Sequence, residues 1–310
     1  MTQPLVTVAI CTWNRHRMLR RTLESMAAMT VPVGVAWELL VCDNMSTDAT
    51  PAVLDEFAGR LPLRRCVATP RGLSHARNAV VDSALGRYVA WTDDDVQVPR
   101  GWLTAYVEAF RRWPAAAVFG GPVLPLFEGT PPGWLAESIP QLGDAFAIRD
   151  FGPEPFPLEL RRLPFGANMA VRIEEQRQFR YHPRLGRRGG RMLSGEETAV
   201  IAAILAQGAH GWWVPETALH HVIPQSRQTT AYLRSYYQGK GETEVVLGAV
   251  RGHRFIAGRP LWVWRSAVVA EMRYRLHRPF SAPQVWLRHL KKAAMSQGML
   301  RLPSEPPADG

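Results

Sequence analysis

Three consecutive aspartates, Asp93, Asp94 and Asp95, follow the apolar run YVAW after a single residue, Thr92. Like charges at such close range repel, and a bound divalent cation is the usual compensation. Carboxylate oxygens are hard ligands that suit Mg²⁺ or Mn²⁺. Asp43 ends a second apolar run, WELLVCDN, and lies opposite the triplet if both runs are neighbouring strands. The pattern favours a metal site over a solvated acidic turn, with Asp93 and Asp95 sharing one task while Asp94 turns away.

The segments around these aspartates alternate between buried-strand and amphipathic-helix patterns. Such alternation predicts an α/β fold with a doubly wound, mostly parallel sheet. Ligands of these sheets bind beyond the carboxyl ends of the strands. Thr12 to Arg15, Asp43 and the triplet all lie at such ends. Strands are predicted at 5–12, 37–44, 63–69 and 88–91, and helices from about Leu19, from Ser46 and over 74–83.

The second half of the chain is less regular. Residues 128–165 are rich in Pro, Gly and aromatic residues and predict a long, partly mobile segment. The remaining predictions are a strand at 165–171, a flexible loop at 186–193, a helix at 195–207, a strand at 211–216 and helices from Thr229 onward.

The composition excludes wholesale disorder, since 46% of the 310 residues are apolar and 21% are charged. The net charge is +10, and residues 251–301 alone contain eleven Lys or Arg and one acid, Glu271. Trp262, Trp264 and Trp286 are interleaved with these charges. This basic region predicts peripheral contact with an anionic membrane, the alternatives being nucleic-acid binding or a solvated helical face with its tryptophans in the core.

Several features predict a cytoplasmic protein. Three cysteines are too few and too scattered for a disulfide framework or a structural zinc site. The opening residues lack the pattern of a signal peptide. The charge-free stretch 114–127 is interrupted by Gly and Pro and is too short to span a bilayer. We therefore expect a cytoplasmic chain that can be held peripherally at the inner face of the membrane.

Three segments in a fixed order carry a family resemblance. VAICTWNR, LLVCDNMSTD and GLSHARNAVVDSALGRYVAWTDDD resemble the nucleotide-sugar-binding half of inverting family 2 glycosyltransferases. The resemblance covers residues 5 to about 125 and continues more loosely through GANMAV and SGEETAVIAAILAQGAHGWWVPETALHH to about 235. It implies the GT-A fold, here with a helical basic C-terminal extension.

The same resemblance implies a division of the chain. Residues 1–125 would be the nucleotide-sugar-binding half, and 126–235 the acceptor and catalytic half of the same GT-A domain. Residues 236–301 would form the helical basic extension, and 302–310 a flexible tail.

The resemblance also implies which residues bind the donor. Thr12, Asn14 and Arg15 would line the nucleotide pocket, although Thr12 also suits a cap and Asn14 a turn. Asp43 would hydrogen-bond the base, typically uracil. For Arg77 the resemblance implies contact with the nucleotide or its diphosphate, and for Asp93 contact with the ribose or the metal. For Asp94 it implies contact with the nucleotide sugar, and for Asp95 coordination of the metal that bridges the diphosphate.

Two glutamates occupy the place where the family has a Glu-Asp pair at a helix start. The second acid, here Glu197, would deprotonate the acceptor hydroxyl as it attacks the anomeric carbon. Glu196 and Glu197 also suit the first turn of a helix, where acids stabilise the free N–H groups and the dipole. His221 matches the position of a metal-binding histidine, although a histidine pair such as His220 and His221 is usually structural.

These observations predict a metal-dependent inverting glycosyltransferase that uses Mn²⁺ or Mg²⁺. The donor would be a nucleotide-diphosphate sugar, with a UDP-sugar favoured, and the acceptor a hydroxyl of a glycan or lipid-linked glycan. Cell-surface polysaccharide or glycolipid assembly is the expected setting, and no nucleic-acid partner is expected. The alternatives are a phosphotransferase that uses the aspartate cluster and a non-catalytic protein that binds anionic surfaces through the basic region.

Overall fold

The computed structural model describes residues 3–187 and 189–301, which separate into two units. The predicted flexible tail at 302–310 lies outside the described residues, as does Arg188 of the predicted loop at 186–193. The predicted division at residues 125 and 235 stays a prediction. The first unit holds residues 3–126, 146–183 and 196–222, and the second holds 127–145, 184–187, 189–195 and 223–301.

Strands and helices alternate along the first unit, as predicted. The strands of the whole chain are β1 (Val6–Thr12), β2 (Trp37–Asp43), β3 (Leu63–Val67), β4 (Tyr88–Asp93), β5 (Val96–Gln97), β6 (Ala116–Gly120), β7 (Val123–Phe127), β8 (Phe156–Pro157), β9 (Asn168–Arg172), β10 (His210–Trp213), β11 (Leu219–Ile223), β12 (Phe255–Ile256) and β13 (Arg259–Pro260). The helices are α1 (His16–Ala27), α2 (Thr50–Phe57), α3 (Leu73–Ser83), α4 (Trp102–Arg112), α5 (Gly133–Ala136), α6 (Ile139–Leu142), α7 (Ile173–Gln178), α8 (Glu196–Ala206), α9 (Thr230–Val246), α10 (Leu261–His277) and α11 (Pro283–Leu300).

An eight-stranded sheet with the order β3-β2-β1-β4-β9-β6-β10-β8 forms the centre of the first unit. β1, β2, β3 and β4 pair in parallel, as do β6 and β10. β9 is antiparallel to both of its neighbours, β4 and β6. The predicted mostly parallel α/β sheet with flanking helices is therefore confirmed.

The central strands are mostly apolar because both faces of the sheet are covered. On β1, Val8 and Ile10 belong to one buried core, and Ala9 between them belongs to the other. Helices α1, α2 and α4 contribute to the first core and α3 and α8 to the second. This arrangement places the carboxyl ends of β1, β2 and β4 at one edge of the sheet.

A second, three-stranded sheet with the order β5-β11-β7 lies beside that edge. β5 begins directly after the aspartate triplet, and its Val96 pairs with His221 of β11. The sequence analysis predicted none of these three strands. β5 has only two residues, and its partner follows more than a hundred residues later, so no local pattern marks the pairing.

The second helix begins later than predicted, at Thr50 instead of Ser46. The Ser46 hydroxyl oxygen accepts from the backbone N–H of Asn14, at 2.9 Å. The Asp48 carboxylate instead accepts from the backbone N–H of Thr50, at 3.0 Å. Residues 46–49 therefore form a turn that ties the end of β1 to the segment after β2.

The buried Asn168 side chain, at the start of β9, joins four segments of the first unit. Its Oδ1 accepts from Trp102 Nε1 at 3.0 Å and from the Tyr106 hydroxyl at 2.9 Å. Its Nδ2 donates to the carbonyl oxygens of Pro122 and Thr217, both at 2.8 Å. Asn168 thus fixes the chain that leads into β11 and hence the position of His221.

We expect Asn168→Ala to lower the free energy of unfolding by about 3 kcal/mol or more, because it leaves several buried polar groups without a partner. Urea unfolding followed by tryptophan fluorescence measures the change. Gln178→Ala, at an exposed position, is the control and should change the stability by less than about 0.5 kcal/mol. Equal stabilities of the two variants would contradict the role given to Asn168.

The second unit is mainly helical, as predicted from Thr229 onward. α11 packs against both α9 and α10. The glycines of α9 and α11 permit this close approach, since a Cβ at Gly241 would lie 2.0 Å from the Met295 carbonyl oxygen. β12 and β13 form a small hairpin before α10. No helix within 3–187 and 189–301 is long and apolar enough to cross a membrane.

Candidate active site

The ends of β1 and β4 meet through a buried hydrogen bond between Thr12 and Asp94. Thr12 Oγ1 donates to Asp94 Oδ2 at 2.7 Å. Arg15, in the turn after β1, donates through Nη1 to Asp94 Oδ1 at 2.5 Å and through Nη2 to Asp95 Oδ2 at 2.6 Å. One guanidinium thus offsets the charge of two carboxylates that are 3% and 2% exposed.

That Asp94 turns away from a metal task shared by Asp93 and Asp95 stays a prediction, and the contacts within the chain join Asp94 to Asp95. Both carboxylates share Arg15, while Asp93 is only half-buried. Burial raises the pKa of Asp94 to about 6, although the Arg15 charge lowers it. The strand ends at Asp93 and the chain turns, so strict alternation does not extend to Asp94 and Asp95.

The β5–β11 pairing brings His221 to Asp95. His221 is 3% exposed, and its Nε2 lies 3.1 Å from Asp95 Oδ2. Its Nδ1 lies 2.6 Å from the Phe146 carbonyl oxygen, which accepts a hydrogen bond from this nitrogen. A neutral ring with its proton on Nδ1 presents the Nε2 lone pair to a carboxylate oxygen, and two acceptors then face each other.

A divalent cation fits this pair of acceptors. A metal-binding histidine usually donates its second N–H to a carbonyl or carboxylate, as His221 does to Phe146. Within the described residues, no group of three or more His, Cys, Asp or Glu side chains is arranged to hold a metal ion. The chain therefore offers only part of a coordination shell, which is the usual situation where substrate phosphates supply further oxygen ligands.

The segment after β2 is ordered by Asp43 and Asn14. Asp43 Oδ1 accepts from the Ser46 backbone N–H at 2.9 Å, and Asn14 Oδ1 accepts from the Thr47 backbone N–H at 2.7 Å. Asn14 has a φ of 51°, which asparagine tolerates better than most residues. The structure thus gives both residues a part in the turn, and their contact with a nucleotide stays a prediction.

Arg77, on α3, is a buried cation close to the acidic residues of the site. It is 5% exposed, and its guanidinium faces the rings of Trp91 and Tyr181 at 5.6 and 5.3 Å. Its charge acts on Glu196, Glu197 and Asp93. Among the described residues, nothing accepts a hydrogen bond from its Nη1. Arg77 is therefore a buried cation and not an arginine of the helix surface.

Gly166 leaves the space that the Arg77 guanidinium occupies. This glycine was not predicted as a site residue from the sequence. A Cβ at Gly166 would lie 2.5 Å from Arg77 Nη2. The glycine in the GANMAV segment is the sequence feature that could have indicated this space. No sequence signal indicated the Phe146 carbonyl oxygen that orients His221, because every residue type has a backbone carbonyl.

Glu196 and Glu197 begin α8, as predicted. Glu196 is 3% exposed, whereas Glu197 is half-buried. Each has a buried Oε2 for which the described part of the chain provides no hydrogen-bond partner. Burial raises the pKa of Glu196 to about 8, the neighbouring Glu197 charge adds to this shift, and Arg77 opposes it. The buried pair therefore favours keeping a proton that two separate glutamates would release.

This shift predicts that the stability of the protein depends on pH. Because the native pKa of Glu196 lies above the ordinary value of 4.5, the native state keeps a proton that the unfolded chain releases. Stability is then lost as the pH rises from about 4.5 to about 8. In the wild-type protein this loss amounts to at most about 1.4 kcal/mol of unfolding free energy per pH unit. We expect Glu196→Gln to remove this contribution, because glutamine does not titrate. Urea unfolding at several pH values measures the free energy of unfolding of the wild-type protein and of the variant. If the two proteins depend on pH in the same way, the prediction is contradicted.

The amino-acid sequence matches known proteins over most of its length. The model of the family described as "Glycosyl transferase family 2" matches residues 7–162. The succinoglycan biosynthesis protein ExoM of Rhizobium meliloti is 28% identical over 255 residues, which are 80% of this chain and 76% of that protein.

Two solved structures are similar to this one. The mannosyltransferase PcManGT of Pyrobaculum calidifontis, in complex with GDP-Man and Mn²⁺, superposes with a TM-score of 0.60 at 17% identity, covering 96% of this chain and 86% of that one. TarS 1-349 of S. aureus, in complex with UDP-GlcNAc, superposes with a TM-score of 0.55 at 16% identity, covering 89% and 73%. These likenesses show that the fold is of the GT-A type.

Proposed function

Because the chain belongs to glycosyl transferase family 2, we propose that it is a metal-dependent inverting enzyme. In this proposal it transfers a sugar from a nucleotide-diphosphate sugar, with a UDP-sugar favoured, to a hydroxyl of an acceptor. The observation that carries the proposal is the cluster at the ends of β1 and β4, where Arg15, Asp94, Asp95 and His221 are joined within 3.1 Å. This cluster lies at the carboxyl edge of the sheet, where ligands of such folds bind.

The donor diphosphate would lie near Arg77 and the aspartates. Arg77 has a buried N–H without a protein acceptor among the described residues, and a phosphate oxygen would accept it. Asp43 would hydrogen-bond the base and Asp93 the ribose, with Thr12 and Asn14 shaping the same pocket. Support for the donor class comes from the similar structures, which were solved with UDP-GlcNAc and with GDP-Man and Mn²⁺.

Asp95 and His221 would hold the divalent cation, with Asp93 as a further ligand at the half-buried rim of the site. When bound, Mn²⁺ or Mg²⁺ neutralises charge on the diphosphate as the bond to the sugar breaks. Arg15 offsets the remaining negative charge of Asp94 and Asp95. Phe146 keeps the His221 ring in the orientation that presents Nε2.

Glu197 would be the general base. The pair needs only one proton to relieve its repulsion, and Glu196 carries that proton because its own pKa is raised. Glu197, the half-buried member of the pair, would accept the proton of the acceptor hydroxyl as the oxygen attacks the anomeric carbon. Attack from the face opposite the diphosphate inverts the anomeric configuration.

The acceptor would be a hydroxyl of a growing glycan or a lipid-linked glycan. The resemblance to a succinoglycan biosynthesis protein supports cell-surface polysaccharide or glycolipid assembly as the setting. A cytoplasmic location, with peripheral contact with the inner face of the membrane, belongs to the same proposal. It agrees with the eleven Lys or Arg among residues 251–301.

Calorimetric titration with UDP-, GDP- and dTDP-sugars, each with Mn²⁺ and with EDTA, tests the donor proposal. We expect one nucleotide class to bind with Mn²⁺ and to bind much more weakly with EDTA. Binding of every nucleotide sugar that is indifferent to the metal would contradict metal dependence. If a GDP-sugar binds and no UDP-sugar does, the expected preference for uracil is contradicted.

A further inference from the structure

The outer face of α10 is an exposed apolar surface in the second unit. It consists of Leu261, Trp262, Val268, Val269, Met272 and Leu276, which are 38–66% exposed. The opposite face of α10 is buried through Val263, Ala267, Ala270 and Tyr274, so the orientation of the helix is set by its packing. Residues spaced three or four apart share one side of a helix, and the six exposed side chains follow this spacing.

The β12–β13 hairpin extends this surface. Phe255 and Ile256, which form its first strand, are 58% and 54% exposed. Trp264 Nε1 of α10 donates to the Ile256 carbonyl oxygen at 3.0 Å, and Trp262 Nε1 donates to the Arg251 carbonyl oxygen at 2.8 Å. The two indoles therefore fasten the hairpin and the segment before it to α10.

The charges around the outer face are almost entirely positive. Arg265 lies within the face, and Arg273 and Arg275 flank it, all exposed. The single acid of residues 251–301, Glu271, is already paired with Arg234 at 2.8 Å and Arg275 at 3.0 Å. Long arginine side chains can lie along apolar surface and keep their heads at a charged interface.

We propose that the outer face of α10 docks on an anionic lipid bilayer, with the helix axis in the plane of the interface. The apolar side chains enter the boundary between headgroups and acyl chains, and the arginines contact lipid phosphates. Residues 251–301 carry ten more positive than negative charges, which complements an anionic surface. This inference deepens the peripheral membrane contact proposed above by naming the surface that makes it.

The same charges argue against the other occupants of the surface. A second copy of the chain would bring two strongly positive surfaces together, and like charges facing each other repel. Nucleic acid is bound mainly through phosphate contacts and base stacking, which Val268, Met272 and Leu276 do not provide. A bilayer takes up both the apolar side chains and the positive charges.

Co-sedimentation with vesicles tests the proposal, using the full chain without donor or acceptor. Vesicles of phosphatidylcholine alone are compared with vesicles that also contain phosphatidylglycerol, at about 0.1 M and about 1 M salt, where the screening length falls from about 10 to about 3 Å. The test variant is Met272→Glu with Leu276→Glu. Its control is Val33→Glu with Leu160→Glu, which makes the same chemical change at two exposed positions of the first unit.

We expect the wild-type protein and the control to pellet with phosphatidylglycerol vesicles at low salt, and to stay in solution with neutral vesicles or at high salt. The test variant should bind at least about tenfold more weakly, because two apolar side chains no longer enter the bilayer. Arg273→Glu provides a second variant, with an expected loss of about fivefold or more from its removed charge.

Three results would overturn the proposal. The first is that the wild-type protein fails to pellet with phosphatidylglycerol vesicles at low salt. The second is that the test variant pellets as well as the wild type while its thermal melt is unchanged. The third is that light scattering shows a concentration-dependent dimer of the wild type that the test variant does not form. Because no sugar transfer is measured, these results are independent of the proposed enzyme activity. A chain that transfers sugar but ignores vesicles would refute only the docking surface.

Discussion

Replacing Glu197 by Gln is expected to lower turnover about 10²–10⁴-fold, the usual contribution of a general base. Glutamine keeps the size of the side chain and its hydrogen bonding, but it cannot accept the proton of the acceptor hydroxyl. Donor affinity should change little, because the base acts on the acceptor. Initial rates with saturating donor, together with calorimetric donor titration, separate the two effects.

Glu196→Gln is the matched comparison for this variant. Burial and the neighbouring Glu197 raise the pKa of Glu196, and glutamine is a close substitute for a protonated glutamate. We therefore expect Glu196→Gln to keep most of the turnover at pH 7. If Glu196→Gln loses the activity and Glu197→Gln keeps it, the base has been assigned to the wrong residue of the pair.

Replacing Asp95 by Asn is expected to weaken metal-dependent donor binding by about 100-fold or more. Among the described residues, Asp95 is the carboxylate that contacts both Arg15 and His221, and a bound metal ion contributes several kcal/mol of charge stabilisation. Titration with the donor in Mn²⁺ measures the loss. Asp55→Asn, at an exposed position on α2 where Asp55 pairs with Arg65, should leave the affinity unchanged.

Unchanged affinity of the Asp95→Asn variant in Mn²⁺ would contradict the metal site. Asp94→Asn distinguishes the two neighbours, because Asp94 contacts Thr12 and Arg15 but not His221 among the hydrogen bonds and ion pairs of the described residues. We expect a smaller loss there, arising from the displaced Arg15. An equal loss for both variants would mean that the cation is held by the two carboxylates together.

Strands β1, β2 and β4 could be predicted because each is a mostly buried, mostly apolar run that ends in polar residues, whereas β3 is short and largely exposed. β1 and β4 are covered on both faces, so their sequences are apolar without alternation. β6, β7 and β11 were not predicted. β6 and β7 lie within the charge-free stretch 114–127, where glycines and prolines interrupt the pattern, and β11 is only five residues long.

The candidate site was predictable where residue type carries the chemistry and not where tertiary packing does. The aspartate triplet, His221 and the Glu196–Glu197 pair stood out from type and position. That Arg15 spans Asp94 and Asp95 depends on how the β1 turn folds over β4, a contact separated by about 80 residues. The burial of Arg77 likewise depends on Trp91, Tyr181 and Gly166, which lie in three separate segments.

The phosphotransferase alternative does not agree with the family to which the chain belongs. The basic region, which carried the non-catalytic alternative, belongs to the second unit, whereas the strand-end cluster lies in the first. The proposed membrane contact and the proposed sugar transfer therefore rest on different parts of the chain, and each can be tested alone.

The central claim is that the strand-end cluster and Glu197 carry out a metal-dependent transfer with inversion. The most direct test uses water as the acceptor and follows the sugar released from the α-linked donor by proton NMR. We predict that the β-anomer forms first, that its release requires Mn²⁺ or Mg²⁺, and that Glu197→Gln abolishes it. Initial release of the α-anomer, or release at the same rate in EDTA, would contradict the account.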